Sequence, residues 1–315
     1  MAVLSQRFGP RARKALFIVL LKLCLSAGFF YWIWTALPDG TDWMELRLVH
    51  PFLLLICIMA VVLQNGLLAF RWLKTTRQIT DVSQELPAFR FWRFFQLTWL
   101  SQAISQVLPA LVGGDGFRIA GLHYDGVPLG TSTKSVIADR LLGLAGLLVL
   151  IIPGIAASGL MSQPPLWVIA VAAVCALVAA AFVYSARHWL ATGFVRYGGG
   201  LQRLFGVDGL ALLVMAIAGH GFSVLIFQLL STAYGIDIPV TTTLIVFPAA
   251  LLMSILPISL GGWGVREASV VYGLSKYGIP EHDALLASLI FGTFQVCAAI
   301  PSIGGILSWA RRNRK

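Results

Sequence analysis

The sequence predicts an all-α polytopic membrane protein, with about six full transmembrane helices and two inverted re-entrant hairpins. Three observations support this fold class: the composition, the distribution of loop charges and a repeated Pro/Gly motif. Of the 315 residues, 58% are hydrophobic and 11% are charged, against roughly 25% charged residues in a typical soluble domain. A soluble protein of this size could not bury so many apolar side chains, so we expect lipid to surround most of the chain.

Six uninterrupted apolar stretches are long enough to cross a bilayer, which takes about 20 mostly apolar residues. They are 15–37, 50–70, 136–158, 165–186, 209–232 and 284–308. The first one follows the basic residues of the N-terminus but is longer than the apolar part of a signal peptide, so we expect a retained helix. Two further apolar stretches, 94–112 and 240–275, contain Pro and Gly and are treated separately.

The charges between these stretches set the orientation. Basic side chains concentrate in 1–14, 71–93, 187–208 and 311–315, and such segments stay on the cytoplasmic side of a membrane. We expect Arg71, the first residue of the second segment, to lie in a loop. With both termini in the cytoplasm, the six spans already account for every crossing of the membrane. Each interrupted stretch must therefore return to the side from which it entered. The charges therefore predict two re-entrant hairpins of opposite orientation.

The interrupted stretches contain the same motif. Residues 108–118 read LPALVGGDGFR and residues 256–266 read LPISLGGWGVR, so both fit L-P-x-x-x-G-G-x-G-x-R. Downstream, YDGVP at 124–128 is matched by YGIP at 277–280, and each precedes another apolar stretch. We infer an internal duplication within one integral membrane domain. The domain covers residues 1–315, and its two inverted halves are approximately 1–158 and 165–315.

Inverted repeats with Pro/Gly-interrupted segments are typical of transporters that bind their substrate near the membrane midplane. Proline ends a helix and glycine permits irregular backbone, so peptide groups lose their helical hydrogen bonds. Such backbone persists at membrane depth only where it is buried in protein or lines a wet cavity. The residues assigned to the hairpin backbone are Pro109, Gly113, Gly114, Gly116, Pro257, Gly261, Gly262 and Gly264.

Each motif ends with an arginine, Arg118 or Arg266, whose guanidinium keeps its charge and needs a carboxylate, a phosphate or water beside it. One interpretation is that these arginines brace the hairpins, Arg118 through Asp115 or Asp139 and Arg266 through Glu267. The other is that they bind an anionic lipid headgroup together with helix-end N–H groups. The second interpretation is favoured because ionisable groups at membrane depth are usually functional. The candidate headgroup residues are Arg118, Arg266, Asp115, Glu267, Asp139 and Arg140. For Asp139 and Arg140, a position at the membrane interface is the alternative.

Polar residues also recur at helical spacing before the first motif. They are Thr98, Ser101, Gln102, Ser105 and Gln106. This stripe either lines a polar path or packs against another helix through hydrogen bonds, and the path is the favoured interpretation. Isolated polar residues within the apolar stretches are expected to join helices by hydrogen bonds. They are Gln64, Asn65, His220, Gln228 and Gln295.

Several other functions lack a motif. The four cysteines are isolated and the histidines form no ligand pair, so we expect neither a metal nor a cofactor. The basic residues lie between apolar runs without a recognition module, so nucleic acid is not an expected partner. Residues 126–135 superficially resemble a P-loop, but Thr133 precedes Lys134 where that motif requires glycine.

The segments LPALVGGDGFR, ADRLLGL and LPISLGGWGVREA resemble the lysylphosphatidylglycerol synthase transmembrane-region family, and the resemblance covers nearly the whole chain. It implies a polytopic bundle with re-entrant helices. It also implies, from the bacterial multiple peptide resistance factor, flipping of an aminoacylated phospholipid between leaflets. Carried over by position, it singles out Gly113, Gly114, Asp115, Arg118, Asp139, Arg140, Gly261, Gly262, Gly264, Arg266 and Glu267. Bifunctional members continue into an aminoacyl-transferase domain, whereas this sequence ends at Lys315, so we expect no soluble catalytic domain and no enzyme activity.

The sequence thus predicts a lipid flippase of a bacterial inner membrane, multi-pass and with both termini in the cytoplasm. An anionic or phosphate-linked lipid would place its headgroup in a polar cavity between the hairpins, where Arg118 and Arg266 would bind the phosphate. The alternative is a membrane subunit or accessory protein of a lipid-modifying or polyprenyl-phosphate glycosyl-transfer system, or a scaffold for such enzymes. The expected partners are membrane lipids, with a second copy of the chain or a lipid-modifying enzyme as further possibilities.

Overall fold

The computed structural model describes residues 31, 48–79, 90–107, 113–157, 207–255 and 262–312. Over this part of the chain all regular secondary structure is α-helical, without a β-strand. The helices are α1 (Pro51–Ile79), α2 (Phe91–Val107), α3 (Gly114–Tyr124), α4 (Leu129–Ala157), α5 (Val207–Ala233), α6 (Val240–Ser254), α7 (Val265–Ser275) and α8 (Glu281–Arg312). The predicted all-α class is confirmed for these residues. The predicted spans 15–37 and 165–186 lie outside them, except for Tyr31, which is helical.

Within the described ranges, three helices are long and apolar enough to cross a membrane. They cover Pro51–Ile79 in α1, Gly209–Ala233 in α5 and Glu281–Ser302 in α8, and they coincide with three of the predicted spans. Helix α4 contains the predicted span 136–158 up to Ala157. The chain is therefore a helical membrane protein, while the total of six spans stays a prediction.

The stretch 240–275 contains two helices that pack against each other, whereas the stretch 94–112 contains most of one helix that packs against the helix after it. The first helix pair consists of α2 and α3, and the second of α6 and α7. Helices α3 and α7 have 11 residues each, which corresponds to about 16 Å at 1.5 Å per residue. That is about half of the hydrocarbon thickness of roughly 30 Å. Neither helix can cross the bilayer alone, and their re-entry from opposite sides stays a prediction.

The two helix pairs belong to one bundle. Each pair packs against the helix that comes after the other pair in the chain. Helix α4 follows the first pair and packs on α6, whereas α8 follows the second pair and packs on α2. Equivalent turns precede α4 and α8, with Gly126 at φ 94° and Gly278 at φ 78°. Glycine suits these positions because the left-handed region is open to it without a steric penalty. The repeated YDGVP and YGIP segments thus form similar turns.

Helices α1 and α5 pack together at the centre of the bundle, and α6 and α8 complete the main core. Phe247 stacks on Phe227 and meets Phe291 edge-on. A polar contact joins α1 to α5. The Gln64 amide donates to the Gly219 carbonyl at 2.9 Å and to Ser223 Oγ at 2.7 Å. Gln64 therefore joins two helices, as its position in an apolar run predicts.

The α4–α5 contact depends on glycine at position 146. A Cβ added to Gly146 would lie 2.6 Å from Ala216 Cβ and 2.8 Å from Ile217 N, so the two backbones would have to separate. We expect Gly146→Ala to lower the free energy of unfolding by about 1–3 kcal/mol, the usual range for overpacking, measured by thermal unfolding in detergent. Gly130→Ala on the same helix is the control, because its Cβ would meet nothing within 4 Å. Equal unfolding midpoints for the two variants would contradict this packing.

Candidate functional site

Five charged side chains from three helices form one connected group, here called the first charge cluster. Its members are Arg71 of α1, Asp115 and Arg118 of α3, and Asp139 and Arg140 of α4. Asp139 lies at its centre, since Oδ1 accepts from Arg71 Nε and Oδ2 from Arg118 Nη2, both at 2.8 Å. All three residues are at most 5% exposed. The cluster therefore ties α1, α3 and α4 together inside the protein.

Asp115 extends the cluster towards its more accessible end. Arg140 Nε donates to both Asp115 carboxylate oxygens at 2.9 Å, and Arg118 Nη1 lies 3.8 Å from Asp115 Oδ1. The side chain of Arg140 is 48% exposed, whereas that of Asp115 is 8% exposed. Arg140 is thus the member of the cluster most open to the surroundings. The carboxylate partners expected for Arg118 under the bracing interpretation are both present.

An aromatic ring supports the central arginine. The Arg118 guanidinium lies over the Trp72 ring, 3.9 Å from its centroid, and stacking of this kind suits the planar group. Trp72 is itself fixed, because its indole N–H donates to Ser135 Oγ at 3.2 Å. Arg118 is therefore held between a carboxylate and an aromatic face, with its orientation defined by both.

The charges of the first cluster do not balance. Three guanidiniums face two carboxylates, so the five side chains carry a formal charge of +1. Two guanidinium nitrogens, Arg71 Nη1 and Arg118 Nε, are buried without a hydrogen-bond partner among the described residues. Buried charged donors without partners are costly. The arrangement favours an anion whose oxygen atoms can accept from these N–H groups.

A second charge cluster consists of Arg266 and Glu267 of α7 with Ser288 of α8. One carboxylate oxygen of Glu267 accepts from the Gly264 N–H at 2.6 Å, which caps the first turn of α7. The other accepts from Arg266 Nε at 3.0 Å and Ser288 Oγ at 3.3 Å. Arg266 also faces the Trp263 ring, 4.8 Å from its centroid. This pair is neutral, and both carboxylate oxygens are already in use.

The two clusters are built from different helices and share no residue. Sequence reasoning assigns one role to both arginines, but their surroundings differ. The first cluster is positively charged with unpartnered N–H groups, and the second is a compensated pair that caps a helix. The bracing interaction predicted as the alternative for Arg266 is the contact that the structure shows. Of the two clusters, only the first has guanidinium N–H groups without partners among the described residues.

Glycine is needed at Gly114 in the first copy and at Gly262 and Gly264 in the second, for different reasons. Gly114 is buried against α2, where an added Cβ would lie 2.0 Å from Ser105 Oγ. Gly262 and Gly264 instead have positive φ angles of 81° and 86°, which glycine adopts readily. Gly113 has right-handed helical angles, and an added Cβ at Gly116 would meet nothing within 4 Å. Pro109, Pro257 and Gly261 lie outside the described residues.

The polar stripe of α2 lies partly in the contact between α2 and α3. Ser101 Oγ donates to the Thr98 carbonyl at 2.9 Å, and Ser105 Oγ donates to the Ser101 carbonyl at 2.8 Å. Both serines border the position of Gly114, so they allow close packing of the first helix pair. Gln102 and Gln106 are half-buried. The polar path predicted for this stripe stays a prediction.

Arg71 is the main functional candidate that sequence reasoning missed. The prediction that it lies in a loop is wrong, because α1 continues to Ile79 and buries Arg71 against Asp139. Hydropathy ends the apolar run at residue 70, but the helix itself does not depend on hydropathy. A signal was present: Gln64, Arg71 and Thr75 are seven and four residues apart, which places them on one face of a helix. All three are buried.

Gly292 on α8 is a second position without a sequence signal. A Cβ added there would lie 2.2 Å from Arg266 Nη2 and 2.6 Å from the Trp263 ring. Arg266 therefore depends on a small residue on a helix remote in sequence. Within the part of the chain that the structure describes, no group of three or more His, Cys, Asp or Glu side chains could hold a metal ion.

Comparison with known proteins identifies a family. The family model described as "Lysylphosphatidylglycerol synthase TM region" matches residues 19–302. This range includes both helix pairs and every residue of the two charge clusters. No curated protein and no solved structure matches the chain.

Proposed function

The chain belongs to the lysylphosphatidylglycerol synthase transmembrane-region family, and from this premise we propose that it moves an anionic or phosphate-linked lipid between membrane leaflets. The observation that carries the proposal is the unbalanced first charge cluster, with a formal charge of +1 and buried N–H groups without partners. The protein acts in the bacterial inner membrane with both termini in the cytoplasm. The family match supports a membrane role that involves lipid.

In this proposal the lipid phosphate binds between α1, α3 and α4. Its oxygen atoms accept from Arg71 Nη1 and Arg118 Nε, since planar guanidiniums recognise phosphate with paired hydrogen bonds. Arg140 is the most exposed member and meets the headgroup first, after leaving Asp115. A singly charged phosphodiester brings the cluster to neutrality. Moving that charge through hydrocarbon unaided would cost several kcal/mol or more, and the cluster lowers this barrier.

The second cluster supports the fold in this proposal and does not bind the phosphate. Arg266 is paired with Glu267, whose oxygens also hold Gly264 and Ser288. A phosphate at this position would have to displace a carboxylate that caps α7. The two inverted halves, approximately 1–158 and 165–315, would then have unequal roles: one binds the headgroup and the other forms a rigid counterpart.

Flipping of fluorescent phosphatidylglycerol in vesicles reconstituted with purified protein tests the proposal. We expect Arg118→Gln and Arg71→Gln each to reduce the flipping rate about tenfold or more, since hydrogen bonds to charged groups contribute about 1.5–3 kcal/mol. Arg118→Lys keeps the charge but loses the paired geometry, so we expect an intermediate rate. Thermal unfolding of each variant separates loss of binding from loss of fold.

Arg90→Gln is the matched control, because Arg90 is exposed and lies outside the cluster. We expect it to flip lipid at the wild-type rate. Well-folded Arg118→Gln and Arg71→Gln variants that flip at the wild-type rate would overturn the headgroup site. A wild-type protein that flips nothing but chemically alters the lipid in the presence of an enzyme partner would favour the lipid-modifying alternative.

A further inference from the structure

A cavity of about 380 Å³ is lined by both helices of the first pair and by α8. Its walls come from three helices: α2 contributes Phe95, Trp99 and Leu100, α3 contributes Phe117 and Ala120, and α8 contributes Pro301. On α3, Phe117 and Ala120 are one turn apart, whereas Asp115 and Arg118 point to the cluster. The thickness of α3 thus separates this cavity from the proposed headgroup site.

The cavity changes character along its length. At the end where α2 begins and α3 ends, its lining includes Trp92, Arg93 and Tyr124. Trp92 and Tyr124 are exposed, and aromatic residues of this kind concentrate at membrane–water interfaces. Apart from Gln96 and Ser302, the rest of the lining consists of Phe, Leu, Trp, Ala, Gly and Pro residues. An amphipathic molecule would therefore enter with its apolar part first.

The charged groups at the polar end compensate each other. Arg93 Nε and Nη2 donate to the two Asp125 carboxylate oxygens at 2.6 and 3.0 Å. The pair leaves no net charge for an anion, unlike the first charge cluster. The only polar atom of the Trp99 side chain is also in use, because its indole N–H donates to the Ala298 carbonyl at 2.9 Å. The deeper walls thus offer carbon surface.

We propose that this cavity holds one hydrocarbon chain of a membrane lipid. Its volume lies at the low end of the range of about 300–1,000 Å³ for small-molecule pockets, so it admits a single chain and not a whole two-chain lipid. A helix of another protein is about 10–12 Å wide with its side chains and does not fit such a space. Water is disfavoured along the carbon-lined walls, because it needs two or more polar partners. The proposal depends on the membrane location of the family and not on transport.

Filling the cavity tests this proposal. Ala120 is exposed within the lining and small, so Ala120→Phe places a ring in the space without replacing a packed core side chain. Wild type and variant are reconstituted with phosphatidylglycerol brominated on its acyl chains, and quenching of tryptophan fluorescence is measured. Phosphatidylglycerol retained after detergent exchange is counted by mass spectrometry. Ala218→Phe is the matched control, an exposed alanine on α5 that does not line the cavity.

We expect Ala120→Phe to reduce both quenching and retained lipid, with the affinity for the chain lowered about tenfold or more, the loss expected when burial of two methylene groups is removed. Ala218→Phe is expected to behave as wild type. Equal quenching and retention in Ala120→Phe and wild type would overturn the proposal. A change of oligomeric state in Ala120→Phe, seen by light scattering, would also overturn it, because the cavity would then be covered by a second copy of the chain.

The outcomes are distinguishable from those of the headgroup test. If Arg118→Gln abolishes flipping while Ala120→Phe changes no lipid contact, the translocase stands and the chain site fails. If Ala120→Phe loses lipid while Arg118→Gln flips normally, the chain site stands without the headgroup site.

Discussion

Asp139→Ala is expected to be the most destabilising single substitution in the first charge cluster. Asp139 is 3% exposed and neutralises both Arg71 and Arg118 at 2.8 Å. Without it, two buried guanidiniums lose their shared counter-charge and the cluster rises from +1 to +2. Removing one partner of a buried ion pair costs about 3–5 kcal/mol, so we expect a decrease of this size in the free energy of unfolding, measured by thermal or denaturant unfolding in detergent.

Two comparisons separate charge from size. Asp139→Asn keeps the shape and one oxygen acceptor, and we expect it to be destabilised less than Asp139→Ala. Asp125→Ala removes the partner of Arg93, whose side chain is 19% exposed. Because water can hydrate this partly exposed guanidinium, we expect the loss of stability to be a fraction of that for Asp139→Ala. If Asp139→Ala and Asp125→Ala lower the unfolding midpoint equally, Asp139 does not have the central electrostatic role described above.

Addition of anionic lipid should destabilise none of these variants and should partly stabilise Asp139→Ala, because phosphate supplies the missing negative charge.

Sequence alone predicted much of the fold because membrane helices depend on local composition. Apolar runs of sufficient length correctly located α1, α5 and α8. The ends of the two Pro/Gly motifs overlap the starts of α3 and α7, while re-entry of the two helix pairs stays a prediction. Boundaries were less predictable where polar residues continue a helix. At Arg71 the hydropathy signal ends, yet α1 extends through Ile79, because Arg71 pairs with Asp139 of α4 and Thr75 and Thr76 donate to carbonyls of α1 itself.

The site was predictable only as a set of candidates. The repeated motif correctly placed Arg118 near Asp115, since the two are one helical turn apart. It could not show that Asp139 joins Arg118 to Arg71, because these partners are 21 and 68 residues away in sequence. The difference between the two copies was also hidden. Asp115 and Glu267 both lie beside a motif arginine, but only the backbone conformation at Gly264 places the Glu267 carboxylate over the start of α7.

The second charge cluster provides the test that separates bracing from binding. Glu267 is fully buried and Arg266 is 6% exposed, so Glu267→Ala leaves a buried guanidinium without its partner and uncaps Gly264. We expect a decrease of about 3–5 kcal/mol in the free energy of unfolding. In the double variant Arg266→Met with Glu267→Gln, both charges are absent, and the Gln amide oxygen can still accept from the Gly264 N–H.

We expect this double variant to unfold close to the wild-type midpoint, because replacing both members of a buried ion pair by uncharged groups of similar volume is often neutral or stabilising. We also expect it to flip phosphatidylglycerol at nearly the wild-type rate, since Arg266 contacts Glu267 and Ser288 and is not needed for the phosphate. The corresponding change in the first cluster, Arg118→Met with Asp139→Asn, should regain part of the stability lost in Asp139→Ala but not the flipping. A double variant of the second cluster that is stable but inactive would contradict the unequal roles of the two clusters. Lost stability could then not explain the lost transport, and Arg266 would have to be assigned to the phosphate site.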